Sequence, residues 1–379
     1  MTALRHFVHC VLLAFVFTGL SNVSSEPNEV STVSGPRYAR NFEIVDFPTH
    51  RIATVRISEN DSIQLYQYAL VTKEVPLPEL PKHIPVIRTP VKRVVVLETV
   101  YIGFLDKLQQ LDSIIGAGTA NYISNPTVRQ RIEKGIIQTV STGQALNVER
   151  LLLLKPELIF TSVPSEPTSN IPAQLQRVNL PVVVTAGYRE PHPLARAEWI
   201  KFISAFFDAS EEADITFNAV ANRYEALLQK VDTIKERPTV FCGAPYSGVW
   251  HMAEGDSYLA QLIEDAGGNY LWSYTTGTGT IPLNVERVFS KAAKADIWLN
   301  PGIYRSQKAL LAADARFAKF DAVRTGLIYN HTRQQTAATG NPIWETGMIE
   351  PDNVLADLIK ILHPNRVPDW EFVYYEELN

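Results

Sequence analysis

The chain has 379 residues, with 35 Lys and Arg against 40 Asp and Glu, a formal charge of −5, and 46% hydrophobic residues. That length accommodates two domains with full cores, and the acidic balance excludes a nucleic-acid surface, which needs a basic footprint. Two cysteines, Cys10 and Cys242, exclude a disulfide scaffold.

Residues 1–6 carry Arg5 and no acid, 7–20 form a largely apolar run, and 21–25 are small and polar, with Val23 and Ser25 placed for cleavage before Glu26. This reads as a cleaved secretory signal, because the run is shorter than the roughly 20 residues of a spanning helix. Its removal leaves 34 Lys and Arg against 40 acids, and 34 − 40 = −6. Cys10 lies inside the apolar run, so acylation at the cleavage site is not supported. The mature chain keeps only Cys242 and forms no internal disulfide, which suits a periplasm better than a eukaryotic extracellular space. The sequons at Asn60 and Asn330 are then incidental.

Residues 26–90 read as an N-terminal extension. Residues 26–40 form a polar tail; 42–45, 51–57 and 63–71 form a small β-meander; and 76–90, with Pro76, Pro78, Pro81, Pro85 and Pro90, form an extended connector. From Lys92 short apolar runs alternate with helical stretches. Strands are expected at 93–97, 114–118, 158–162 and 182–185, and helices at 100–111, 126–133, 148–154 and 171–178. The same alternation restarts at 239–242 and continues through 258–266, 285–293, 297–299, 310–312 and 327–329. Strands alternating with helices predict an α/β fold with parallel sheets, in two lobes at 91–209 and 235–379. Between them, residues 194–207 are helical by pattern, and a second helix over 210–234 repeats its apolar residues at three and four without Gly or Pro. Some 24 residues at about 1.5 Å each span roughly 36 Å, enough to join one lobe to the other.

The pentapeptide Leu-Asn-Val-Glu-Arg occurs twice, at 146–150 and 283–287. In each copy Asn147 or Asn284 suits a helix N-cap, and Glu149 or Glu286 then falls in the first turn, where the helix dipole favours a carboxylate. The two glutamates stand 286 − 149 = 137 positions apart, about a domain's length. They read either as one acidic knob on each lobe or as two ordinary capped helix starts.

The stretches 93–111, 143–160, 193–202 (PLARAEWIKF), 256–268 (DSYLAQLIEDAGG) and 351–364 (PDNVLADLIKILHP) resemble the periplasmic solute-binding proteins of iron-siderophore and cobalamin ABC importers. The resemblance covers roughly 91–378, and its specificity lies in the order and spacing of the stretches. It implies two α/β lobes joined by one long helix, a ligand between the lobes, and Glu149 and Glu286 docking onto arginines of a membrane permease with its ATPase. The expected ligand is a ferric siderophore or a similar iron complex or corrinoid, and no intrinsic cofactor is expected. The protein should be a periplasmic monomer. The resemblance implies nothing about the extension.

Ligands of α/β sheets bind beyond the carboxyl ends of strands. The loops there nominate Tyr101, Tyr122, Arg189, Tyr246, Trp250, Tyr274, Tyr304, Arg305 and Arg333, rings for apolar area and guanidinium forks for anionic oxygens. Five of the six Trp follow residue 240, so the second lobe should supply the larger aromatic wall, with Trp298 in its core. Haem, through a Tyr or His ligand, and a bare divalent metal on His192, His251 and His331 are the competing ligands. No enzyme is expected. Ser247-Gly248 follows Pro245-Tyr246 rather than forming a Gly-x-Ser-x-Gly elbow, no Walker loop or His-Glu-x-x-His occurs, and Gly277-Thr278-Gly279 lacks the third glycine of a dinucleotide site.

Overall fold

The computed structural model describes residues 32–59, 62–143, 145–163 and 171–379; the expected signal segment lies outside these. The extension forms one five-stranded sheet, in spatial order β1 (Thr32–Ser34), β2 (Phe42–Asp46), β3 (Arg51–Glu59), β4 (Ser62–Thr72) and β5 (Val86–Thr89). Two expectations are corrected by this sheet. Residues 32–34 of the supposed tail pair antiparallel with β2. Residues 86–89 of the supposed connector pair parallel with Ala69–Thr72, because the four residues between Pro85 and Pro90 keep the N–H groups that a ladder needs. The sheet is fastened to the first lobe. The amides of Arg37, Tyr38 and Ala39 donate to Glu198 at 2.8, 2.7 and 2.9 Å, and those of Arg40 and Asn41 donate to Glu190. The Phe42 ring packs 5.0 Å from Trp199.

The first lobe contains β6 (Val94–Val96), α1 (Val100–Lys107), β7 (Ile114–Ala117), α2 (Pro126–Glu133), β8 (Gln138–Thr139), β9 (Ser141–Thr142), β10 (Ala145–Leu146), α3 (Val148–Leu154), β11 (Leu158–Ser162), α4 (Ile171–Arg177), β12 (Val182–Thr185) and α5 (Pro193–Ser204). Its sheet runs β12-β11-β6-β7-β8 with every pair parallel. The three strands of Val94–Val96, Leu158–Ser162 and Val182–Thr185 are almost wholly buried, as continuous apolar runs covered on both faces must be.

Helix α6 (Ser210–Val231) comes next, with Glu211 and Glu212 in its first turn and Ala213, Phe217, Val220, Ala221, Tyr224 and Val231 on its buried face. The second lobe contains β13 (Thr239–Cys242), β14 (Pro245–Tyr246), β15 (Val249–Ala253), α7 (Tyr258–Asp265), β16 (Asn269–Tyr270), β17 (Thr280–Asn284), α8 (Val285–Ala292), β18 (Ile297–Leu299), α9 (Gln307–Ala313), α10 (Asp321–Thr325), β19 (Ile328–Asn330), α11 (Pro351–Leu362) and β20 (Glu376–Glu377). Its main sheet, β16-β13-β18-β19-β20, is parallel except for the last strand, which pairs antiparallel with β19. Strands β14, β15 and β17 form a separate antiparallel sheet.

Residues 340–362 return to the first lobe. The amide and hydroxyl of Ser124 and the amide of Asn125 donate to Glu345, Lys107 pairs with Glu350 at 2.7 Å, and α11 packs along α5 and α6, where Arg223 pairs with Asp352. Among the described residues no helix is long and apolar enough to cross a membrane.

Candidate ligand site

Three parallel strands of the first lobe end at one cavity of about 440 Å³. Glu98 and Thr99 follow β6, Thr161 and Ser162 close β11, and Thr185 closes β12, all lining it. The walls are Tyr101 and Phe104 of α1, Arg196, Trp199 and Ile203 of α5, and Tyr188, with Trp344 and Met348 contributed by the segment that returns late in the chain. Gly187 fits this wall because a Cβ there would lie 3.2 Å from the Trp199 ring.

Several of the cavity's polar groups bond one another or nearby backbone. The Tyr101 hydroxyl lies 2.8 Å from Thr185 Oγ1 and 3.1 Å from Ser162 Oγ, tying α1 to both strand ends. Arg196 donates Nε and Nη2 to the carbonyls of Glu190 and Tyr188, both at 2.7 Å. Its guanidinium lies 4.2 Å from the centre of the Tyr258 ring of α7, so it spans from one lobe to the other. Burial pulls that guanidinium below its usual pKa. Glu98 Oε1 accepts from the Ser162 amide at 3.2 Å and the Thr161 hydroxyl at 3.1 Å. Glu98 Oε2 is buried without a partner among the described residues, and burial raises the carboxyl to a pKa of about 7.

Of the nine ligand residues expected from sequence, Tyr101 alone lines this cavity. Tyr122, Tyr246 and Tyr274 are well exposed, Tyr274 with Lys291 Nζ 3.7 Å from its ring centre. Tyr304 is half-buried, Arg305 donates to the side chain of Gln335 at 2.8 Å, Arg189 lies beside the Tyr188 hydroxyl at 3.2 Å, and Arg333 is exposed.

Trp250 is a correction. Residues 243–251 are not a loop, because β15 alternates exposed Val249 and His251 with buried Trp250 and Met252, a strand period. The Trp250 indole donates to the Cys242 carbonyl at 2.8 Å and packs on Trp298 inside the second lobe. Trp272 is also buried, and the rings that line the cavity are Tyr101, Phe104, Tyr188 and Trp199 with Trp344 from the late segment. Glu98, Arg196 and Trp199 line the cavity without standing among the nine expected residues. Glu98 carries a usable signal in its place directly after the apolar run 94–97; Arg196 and Trp199 read only as helix.

His192, His251 and His331 do not converge. The His192 ring stacks on Tyr38 and its Nδ1 accepts from the Leu194 amide, His251 lies exposed on β15, and His331 is held 3.1 Å from Asn341 with burial lowering its pKa to about 4. Among the described residues no group of three or more His, Cys, Asp or Glu could hold a metal ion.

The repeated pentapeptide has one geometry in both places. Asn147 accepts from the Arg150 amide at 2.9 Å and Asn284 from the Arg287 amide at 2.8 Å, each at the start of a helix that follows an antiparallel strand. Both glutamates are exposed. Glu149 makes no ion pair with a described residue, whereas Glu286 pairs with Arg316 at 3.0 Å.

The family described as Periplasmic binding protein matches residues 94–334. An uncharacterized lipoprotein of Methanocaldococcus jannaschii is 25% identical over 312 residues, 79% of this chain and 72% of its own length. An uncharacterized protein of the same organism is 26% identical over 285 residues, 73% and 83%. Among solved structures, an ABC transporter substrate-binding protein from Listeria monocytogenes EGD-e superposes with a TM-score of 0.55 at 17% identity, covering 73% of this chain and 100% of that one. A periplasmic heme binding protein from Pseudomonas aeruginosa gives 0.57 at 15%, covering 76% and 98%. An ABC-type Fe3+-hydroxamate transport system from Saccharomonospora viridis DSM 43017 gives 0.54 at 15%, covering 72% and 93%. At these identities the structural likenesses speak for the fold.

Proposed function

The chain belongs to the periplasmic binding protein family, and on that premise we propose that it is the extracytoplasmic solute-binding component of an ABC importer, carrying a ferric siderophore or a similar iron or corrinoid complex to a membrane permease. The observation that carries this reading is the aromatic-walled cavity at the carboxyl ends of β6, β11 and β12, because it gathers residues far apart in the sequence, Glu98 and Trp344 among them. Structurally similar proteins are described as a periplasmic heme binding protein and as an ABC-type Fe3+-hydroxamate transport system, so haem belongs among the ligands to be tried.

In this reading Tyr122, Tyr246, Tyr274 and Tyr304 supply apolar rim around the ligand, and Arg189, Arg305 and Arg333 face the anionic oxygens of its metal centre. Glu149 and Glu286 register the loaded protein on the permease, since rim charges steer and orient a partner at little cost to the fold. The protein is exported by its signal segment, acts as a monomer and performs no chemistry on its cargo.

Titration with ferric hydroxamates, ferric catecholates, cobalamin and haem, followed by tryptophan fluorescence, tests the assignment. Saturable binding of one class is expected, weakened by about 1–3 kcal/mol for each rim arginine changed to Ala if it bonds the ligand. Failure of every class to bind would refute it.

A further inference from the structure

Two carboxyl groups among the described residues have a buried oxygen without a hydrogen-bond partner, Glu98 and Asp352. Asp352 is paired with Arg223 through its other oxygen. Glu98 pairs with no cation among the described residues. Several nearby donors among the described residues are committed: Thr161 and Ser162 serve Oε1, Arg196 is turned to two carbonyls and the Tyr258 ring, and the Tyr101 hydroxyl is held by Ser162 and Thr185.

A buried carboxylate oxygen lacking a donor is costly, and a cation placed against it repays much of that cost, whereas an anion adds repulsion. We propose that the first-lobe cavity receives an ammonium-bearing arm of the ligand, with Glu98 as the carboxylate that binds it and Trp199, Tyr101 and Trp344 around its apolar stem. About 440 Å³ holds a group the size of a phenylalkylamine. This assignment rests on reading the protein as a solute binder, and it narrows the cargo to complexes that carry a free amine. The anionic metal centre would then lie outside the cavity, against the rim arginines.

The experiment uses two simple probes, 2-phenylethylammonium and 3-phenylpropionate, with the indole N–H resonances of Trp199 and Trp344 as readout. At about pH 8, where Glu98 is mostly ionised, the ammonium should bind about tenfold tighter or better than the carboxylate. That preference should vanish in Glu98→Gln, and in the wild type at about pH 5, where Glu98 is protonated. The other titratable side chains lining the cavity are Arg196, Tyr101 and Tyr188. If Glu98→Gln does not fold, the wild-type pH series decides alone. Equal binding of both probes, a preference unchanged at acid pH, or no response to either probe at millimolar concentration would overturn the assignment. A protein that binds no ferric complex yet keeps the ammonium preference would overturn the iron reading and leave this one standing.

Discussion

Glu345 reaches across 221 positions to Ser124, accepting from its amide and its hydroxyl at 2.6 Å each. With the Asn125 amide at 2.9 Å this buried carboxylate caps the approach to α2, and it holds the segment bearing Trp344 and Met348 beside the cavity. Burial raises its pKa while the bonds from Ser124 and Asn125 oppose that rise. Replacing Glu345 by Ala strands three donors. The expected loss is about 2–4 kcal/mol of stability, as one or more buried donors lose their acceptor. Ligand affinity should fall as well, since Trp344 loses its tether. Denaturant melts and ligand titrations of the variant check both, and unchanged affinity would show that the tether does not position the wall.

Stability should depend on pH through Glu98. Its folded pKa of about 7 lies above the ordinary 4.5, so between these values the folded chain binds more protons than the unfolded one. Stability therefore falls as pH rises through that window. Relative to Glu98→Gln, the wild type should lose on the order of 2 kcal/mol between about pH 4.5 and 7.5. Glu190, Asp352 and Asp357 also have carboxyls raised by burial, so the quantity to measure is the difference between variant and wild-type melting curves. Parallel curves would contradict the prediction.

The repeated pentapeptide separates docking from ligand capture. Charge reversal of Glu149 or Glu286 to Lys should impair uptake, with the double change worse than either, while ligand affinity stays as it was. Glu286 already pairs with Arg316 whereas Glu149 pairs with no described residue, so the permease must displace one contact and not the other. Arg316→Ala should therefore strengthen docking on the second lobe alone. Normal transport by the double variant would defeat the docking role.

Ligand binding should change the lobe angle little. Helix α6 has no Gly or Pro to absorb a dihedral change, and it is held by Arg223 to Asp352 of α11 and by Tyr224 to Asp265 of α7. Solution scattering of free and loaded protein checks this, and a wide closure would mean that α6 bends.

Local periodicity made most elements legible. The helices at Pro126–Glu133 and Val148–Leu154 and the strands at Leu158–Ser162 and Val182–Thr185 arise from runs and caps within a few residues of sequence. The family was legible in the order of such runs. Residues 243–251 were less legible, because the loop signals at Gly243, Pro245 and Gly248 masked a short alternation whose meaning depends on what each face meets. The site was least legible. Glu98 lies in a cavity because β11 and β12 end beside it, Trp199 because α5 crosses there, and Trp344 because Glu345 ties a segment from 221 positions away to Ser124. Sequence carries apolar pattern and turn chemistry, which act over a few residues; burial of a charge without its partner arises only when distant strands and helices meet.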